Sequence, residues 1–406
     1  MKDPDNIITQ FPFGYSIPKQ FSRRDFVKTA GIAAAGLVAG ACSKSSNPIT
    51  SETQTPATPI VSQEIRSYSP NEYLAEVAYT NTTTYELSTL KSDIQACIET
   101  LGGLDDILPS GGTVGIKVNM TGGEANADKS LRRYGLTVGE LFWTHPTLLQ
   151  AVCELLKEAG AGRILVMEAN YDEPSYSKFG YKEVVDYLGI EYINLNSPDP
   201  YQDFLEVPIP NPLTHWQSHF HNGLLHELDC FISLPKTKRH YGAGVTNAMK
   251  NMIGSVPLSK YKIDGEWRAK LHSTTNSQNT NAYSGVASLV RTIVDLNTIR
   301  PIHLSICDAI KTCDNGEGPW GDGFQALDLN TLFVSKDPVA ADAYGTFLFG
   351  FDPNSADKEG PFAANSLPGS FSGTDNYLRI ADEHGLGTHD MDKIKVTDAT
   401  PISCVV

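Results

Sequence analysis

The chain is poor in cysteine and in positive charge. Its 406 residues include only seven cysteines, and no C-x-x-C occurs among them. That excludes a ferredoxin-type iron–sulfur module and a thioredoxin-like motif carried by this chain. Lysine and arginine number 32 against 47 acidic residues, for a net charge of −15. A surface this acidic excludes nucleic acid as a general partner, because phosphate backbones are held mainly by basic residues. Also missing are a G-x-x-x-x-G-K-[ST] phosphate loop, an H-E-x-x-H zinc helix, an EF-hand run and a hydrolase nucleophile elbow. No internal repeat is present. Charged residues make up 19% and hydrophobic ones 40% of the chain, a balance that suits a folded core and not a disordered polymer.

No apolar run is long enough to span a bilayer as a stable helix. The longest candidate, Gly31 to Ala41, is short and rich in glycine and alanine. It follows Arg23-Arg24 and Lys28, so residues 1–42 resemble a twin-arginine export signal. Cys42 after Ala39-Gly40-Ala41 resembles a lipoprotein processing site, and cleavage by an ordinary signal peptidase is the alternative. The expected location is outside the cytoplasm by the twin-arginine route, either periplasmic or lipid-anchored at the cell envelope. Membrane contact is expected only through that signal or anchor. Residues 43–63, rich in Ser, Thr and Pro, read as a flexible tether to a folded body spanning 64–406.

Within the body, short apolar runs alternate with amphipathic stretches. "GTVGIKVN", "RILVMEAN", "EYINLN", "LDCFISLP", "PIHLSICDAI" and "TLFVSKD" read as strands, and "TYELSTLKSDIQACIETLGGL", "HPTLLQAVCELLKEAGAG", "YKEVVDYLGI", "SGVASLVRTIVDLNTIR" and "DPVAADAYGTFLFG" as helices. This order predicts a single large α/β domain, a mostly parallel, Rossmann-like sheet with helices on both faces. Ligands of such sheets bind beyond the carboxyl ends of the strands. Lys117 and Asn119 follow the first strand, Glu168 and Asn170 the next, Lys236, Lys238 and His240 a third, and Asp308 ends a fourth.

One stretch reverses the charge of the whole. "KTKRHYGAGVTNAMKNM", Lys236 to Met252, holds three lysines, Arg239 and His240 with no acid. Pro235 tends to end a central strand. In an extended chain beyond it, Lys236, Lys238 and His240 would share one face. Gly242 and Gly244 permit a tight turn, and Thr246 suits the N-cap of a short helix carrying Lys250 and Asn251, closed by Gly254. Such a loop would hold a small anion. The alternative is a solvated basic loop balancing a local acidic patch. His240 is the candidate for proton transfer with Lys238 beside it, since imidazole ordinarily titrates near neutral pH.

Other clusters allow further readings. Asp308, Asp314, Glu317 and Asp322 surround a glycine-rich loop, and Asp308 with Glu317 would suit a divalent cation such as Mg²⁺ or Ca²⁺. Asp337 before Pro338 reads first as a helix N-cap. His215 and His219 would share a face if their segment were helical, and surface or interface histidines are the plainer reading. Cys307 and Cys313 could pair or stay free.

The stretch "KTKRHYGAGVTNAMKNMIG" resembles the signature of the family described as domain of unknown function 362: Lys-x-Lys-x-His, a gap, then Lys-Asn-x-x-Gly. "GIKVN", "THPTLLQAVCELLKEAGAGRILVMEA", "ICDAI" with "NGEGPWG", and "VSKDPVAADAYG" resemble its other pieces in the same order, over about residues 75 to 355. Some members carry a ferredoxin-like cysteine cluster, which implies redox association for them; this chain lacks that cluster. A more distant fold-level similarity is to nickel-pincer lactate racemase. The expected function is an enzyme acting on a small anionic substrate or cofactor, with metal assistance as an option. The alternatives are a non-catalytic anion-binding lipoprotein and a redox partner of iron–sulfur proteins.

Overall fold

The computed structural model describes residues 75–262, 268–272, 289–321, 323–364, 366–367 and 373–401. The signal reading of residues 1–42, the tether reading of 43–63, and Cys42, Cys404 and Asp322 all lie outside the described residues.

Eight strands form one sheet. In chain order, the strands of the fold are β1 (Ala75–Asn81), β2 (Thr113–Lys117), β3 (Arg163–Glu168), β4 (Glu191–Asn194), β5 (Leu205–Pro208), β6 (Ser218–His221), β7 (Cys230–Ser233), β8 (Lys238–His240), β9 (Gly244–Thr246), β10 (Leu304–Asp314), β11 (Gln325–Ser335) and β12 (Ile394–Asp398). The large sheet has the order β12-β1-β11-β10-β7-β2-β3-β4, while β5–β6 and β8–β9 are separate hairpins. The pairings run parallel from β10 through β7, β2 and β3 to β4, and again between β1 and β12. Only β11 runs against its neighbours. The expected α/β class with a mostly parallel sheet is thus what the chain adopts.

The strands are apolar on both faces because both faces are covered. Alternate residues feed opposite cores. Ile164 and Val166 of β3 pack with α1 (Leu87–Thr100), α2 (Gly123–Tyr134), α3 (Val138–Leu141), α4 (Pro146–Glu158) and α5–α6 (Pro174–Ser177, Tyr181–Leu188). Leu165 and Met167 face the layer of α7 (Leu258–Tyr261), α8 (Ala269–His272), α9 (Leu289–Ile299), α10 (Pro338–Leu348) and α11 (Tyr377–Glu383). Two helix starts match the sequence reading. Pro146 opens α4, whose buried Leu148, Leu149, Val152 and Leu156 form an apolar stripe. Asp337 caps α10, its carboxylate accepting from Val339 N at 2.8 Å and Ala340 N at 2.9 Å.

The connections locate a crevice. From β2 the chain passes through α4 to β3 and through α6 to β4, moving outward on one face. It then returns to the other side of β2 as β7 and crosses by α9, on the opposite face, to β10. The β2–β7 boundary is therefore a topological switch point, and a crevice opens there at the carboxyl edge.

Five cysteines, Cys97, Cys153, Cys230, Cys307 and Cys313, are buried and free. Cys307 and Cys313 lie on one strand, β10, and do not pair. No helix among the described residues is long and apolar enough to cross a membrane.

Candidate functional site

A cavity of about 500 Å³ occupies the crevice at the switch point. Its floor comes from strand ends. Lys117 is the last residue of β2 and Glu168 the last of β3. They form a buried ion pair, Nζ to Oε2 2.7 Å, and Lys117 also donates to Val118 O at 2.7 Å. Glu168 accepts from Met120 N at 3.1 Å and Ala169 N at 3.0 Å. Gly254 sits directly over this pair. A Cβ there would come within 2.5 Å of Lys117 Nζ and closer still to Glu168. The residue that sequence reasoning assigned to a helix terminus is therefore held as glycine by close approach.

One wall is the β8–β9 hairpin. Past Pro235 the chain stays extended: Lys236 bridges to Asp308 of β10, and Lys238–His240 pairs with Gly244–Thr246. The period of two holds, since Lys238 and His240 line the cavity. Thr237 and Arg239 turn away, to Asn247 Oδ1 at 2.9 Å and Gly244 O at 3.0 Å. Gly244 has φ +77°, and a Cβ would stand 2.9 Å from Pro361 O, so only glycine closes this turn. Gly242 and Gly244 thus shape the hairpin and do not line the cavity; the Gly242 N–H is spent on His240 Nδ1 at 2.8 Å.

Three expectations need correction here. Thr246 is not an N-cap but the end of β9, and the segment after it forms a 3-10 helix at Lys250–Ser255. Lys236 does not reach the cavity. It is completely buried with Asp308, Nζ to Oδ2 2.7 Å, off the line of a hydrogen bond. It also donates to Tyr85 Oη and to Lys311 O, both at 2.9 Å. Asp308 accepts from Tyr85 Oη at 2.8 Å and is consumed in the same network. Asp308 and Glu317 therefore do not form a joint cation site. Among the described residues no group of three or more His, Cys, Asp or Glu side chains is arranged to hold a metal. The histidine segment is likewise not helical: His219 and His221 lie on β6, with His221 Nδ1 2.9 Å from His226 Nε2.

The remaining residues do converge. Lys117, Asn119, Lys238, His240, Lys250, Asn251 and Glu317 all line the cavity. Asn251 donates to Lys117 O at 2.9 Å and accepts from Asn119 Nδ2 at 3.0 Å, which leaves Asn119 Oδ1 buried without a hydrogen-bond partner. Sequence reasoning did not assign Arg268, His272, Thr246 or Trp320 to the site. Glu168 was legible as a strand end; Arg268 precedes, and His272 ends, a short helix with no motif of its own. Arg268 donates through Nε to Val256 O at 2.9 Å, and its guanidinium also bonds Ala169 O. Trp320 forms an apolar rim, edge-on to Phe142.

The electrostatics of the cavity are one-sided. Among the described residues, Lys117, Lys238, Lys250 and Arg268 face only Glu168 and Glu317. Burial lowers all three lysines: Lys117 and Lys238 to about 8, and Lys250 to about 7. For Lys250 the neighbouring Lys238, Arg268 and Lys117 add to the depression, while Glu317 opposes it. Lys238 keeps a partner, Phe142 O at 2.6 Å. Lys250 is only 8% exposed, yet its ammonium makes no hydrogen bond or ion pair among the described residues. His240 is driven well below its ordinary value by burial, then by Lys250, His272 and Lys238. It is thus a neutral imidazole with Nδ1 accepting and Nε2–H directed toward Glu317, 3.9 Å away. Titration near neutral pH, expected from its residue type, does not survive this environment.

The family model described as Domain of unknown function (DUF362) matches residues 114–347. The chain belongs to the DUF362 family. Every residue lining the cavity falls inside that matched span. A thylakoid-associated protein of Synechocystis sp. is 27% identical over 279 residues, covering 66% of this chain and 73% of its own. A solved structure of a Thermotoga maritima protein aligns with 11% identity and a TM-score of 0.36, over 65% of this chain and 59% of that one. As a DUF362 protein the chain thus has a family but no activity attached to it by these relatives.

Proposed function

We propose that this DUF362 protein binds a small anionic molecule, substrate or cofactor, in the switch-point cavity, and that it acts there as an enzyme. The observation that carries the reading is Lys250: a residue only 8% exposed whose ammonium lines the cavity without a hydrogen-bond or ion-pair partner among the described residues, beside three other cations. Buried charge without compensation is costly. A carboxylate or phosphate entering the cavity supplies the missing counter-charge, and the unpartnered Thr246 Oγ1 offers it a hydroxyl donor. Glu317 and the neutral His240 give the site a proton acceptor and a fixed donor.

The anion reading is tested by thermal-shift and native mass spectrometry with pyruvate, citrate and inorganic phosphate. At least one is expected to bind with one-to-one stoichiometry. Lys238→Ala and Lys250→Ala should each weaken it at least about tenfold, about 1.4 kcal/mol. Binding unchanged in both variants would remove the reading.

The same proposal sets the protein outside the cytoplasm, exported by the twin-arginine route and periplasmic or anchored through Cys42. Arg23-Arg24, the Gly31–Ala41 run and Cys42 support it. The Synechocystis relative is named as thylakoid-associated. Fractionation of cells expressing the chain with Arg23→Lys and Arg24→Lys checks this; unchanged export in the double variant counts against it.

A further inference from the structure

The three cavity lysines are not equivalent. Lys117 is held in place by Glu168 and Val118 O. Lys238 is locked by Phe142 O and sits 5.5 Å from the centroid of the Phe142 ring, a cation–π contact that again favours charge. Among the described residues Lys250 has no such hold, and it faces the cavity from the 3-10 helix that follows the hairpin. An amine crowded by cations and removed from water is the usual setting for a nucleophilic lysine. The rest of the site suits that use. If Lys250 is neutral, the described residues of the cavity set Lys117, Lys238 and Arg268 against Glu168 and Glu317, one positive charge in excess, which matches one carboxylate.

We propose that Lys250 forms a Schiff base with the carbonyl carbon of a small 2-oxo acid whose carboxylate is held by Lys238 and Arg268. This deepens the anion-site reading and rests on it. The Nζ lone pair adds to the carbonyl carbon while the C=O π pair moves to oxygen. That oxygen, hydrogen-bonded by His240 Nε2–H, takes one proton from solvent. The nitrogen sheds one proton to Glu317, which returns it to the hydroxyl. The C–O bond then breaks with loss of water and leaves a C=N⁺ iminium. Amine, oxo acid and one proton give iminium and one water, so no oxidant or metal enters. The groups facing the amine, and so able to set its titration, are Glu317, Lys238, Arg268, Lys117, Glu168, His240 and His272.

The test is reductive trapping. The purified full chain is incubated with pyruvate, glyoxylate or 2-oxoglutarate and sodium cyanoborohydride, with lactate as the control lacking a carbonyl. Intact mass and peptide mapping then locate the adduct. The expected result is one adduct per chain, on Lys250, forming at least tenfold faster than on any surface lysine. Its rate should rise with pH around about 7, where the amine loses its proton. Lys250→Arg keeps a cation but has no nucleophilic amine, so trapping should be abolished even at oxo-acid concentrations at which thermal shift shows the variant saturated. An oxo acid that binds but is never trapped, or trapping that survives Lys250→Arg, overturns the covalent step and leaves the anion site standing. Absence of binding by all three oxo acids overturns this proposal, and the anion-site reading then rests on citrate and phosphate alone.

Discussion

Lys250 and Lys236 illustrate how two lysines of one motif acquire different work. Both are buried, but Lys236 has Asp308 and two oxygen acceptors, whereas Lys250 has none among the described residues. Removing each should therefore have opposite consequences. Lys236→Met leaves Asp308 as an unpaired buried carboxylate and should cost about 3–5 kcal/mol in denaturant unfolding, with little change in anion affinity of the folded protein. Lys250→Met removes an uncompensated charge and should leave the empty protein no less stable while weakening the anion. Gly254→Ala should push apart the Lys117–Glu168 pair and cost about 1–3 kcal/mol by overpacking. The lysine shifts also fix a pH dependence. In the unfolded chain these amines titrate near 10.5, in the folded one at about 8, 8 and 7 for Lys117, Lys238 and Lys250. Below pH 7 all are charged in both states and folding bears the full burial cost. As pH rises through 7 to 8 the folded state sheds protons that the unfolded chain keeps, so stability rises over that window. Thermal unfolding of the empty protein from pH 6 to pH 9 checks the sign; a fall across it contradicts the assignment.

At the scale of elements, caps and strand ends were the legible features. Asp337-Pro338 announced the start of α10 because an N-cap carboxylate and a proline at the first helical position act locally. Asp337→Ala should cost about 1–2 kcal/mol in chemical denaturation. The alternation of Lys238 with Arg239 was legible for the same local reason. What followed was not, because Thr246 and Lys250 take their places from long-range contacts. Thr246 belongs to a strand because β9 pairs back onto β8, and the helix after it is a tight 3-10 turn wedged against β2 and β3. Neither fact has a signal in the few residues that contain it. Asp308 misled for a related reason. A carboxylate ending a strand reads as a site residue, but Lys236 lies one strand away and neutralises it. Arg268, just before the four-residue α8, and His272, at its end, carry no periodicity by which the sequence could reveal them.

On the scale of the molecule, the alternating pattern of strands and helices announced the sheet and its two helix layers, since apolar periodicity reports burial directly. The strand order could not be read from it. Only with β7 on the far side of β2 does the switch point appear, and with it the reason that Lys117, Lys238, Lys250 and Glu317 share one cavity although they are spread over some 200 residues of chain. The excess of positive charge in that cavity, inside a protein of net charge −15, is the central claim. Calorimetric titration of the full chain with pyruvate, citrate and phosphate at pH 7.5, in two buffers of different ionisation enthalpy, tests it most directly. A bound anion stabilises the ammonium forms and raises the depressed lysine values, so binding is predicted to be one-to-one, to take up protons, and to weaken at pH 9. No binding of any of the three, or binding without proton uptake that persists in Lys250→Met, would contradict it.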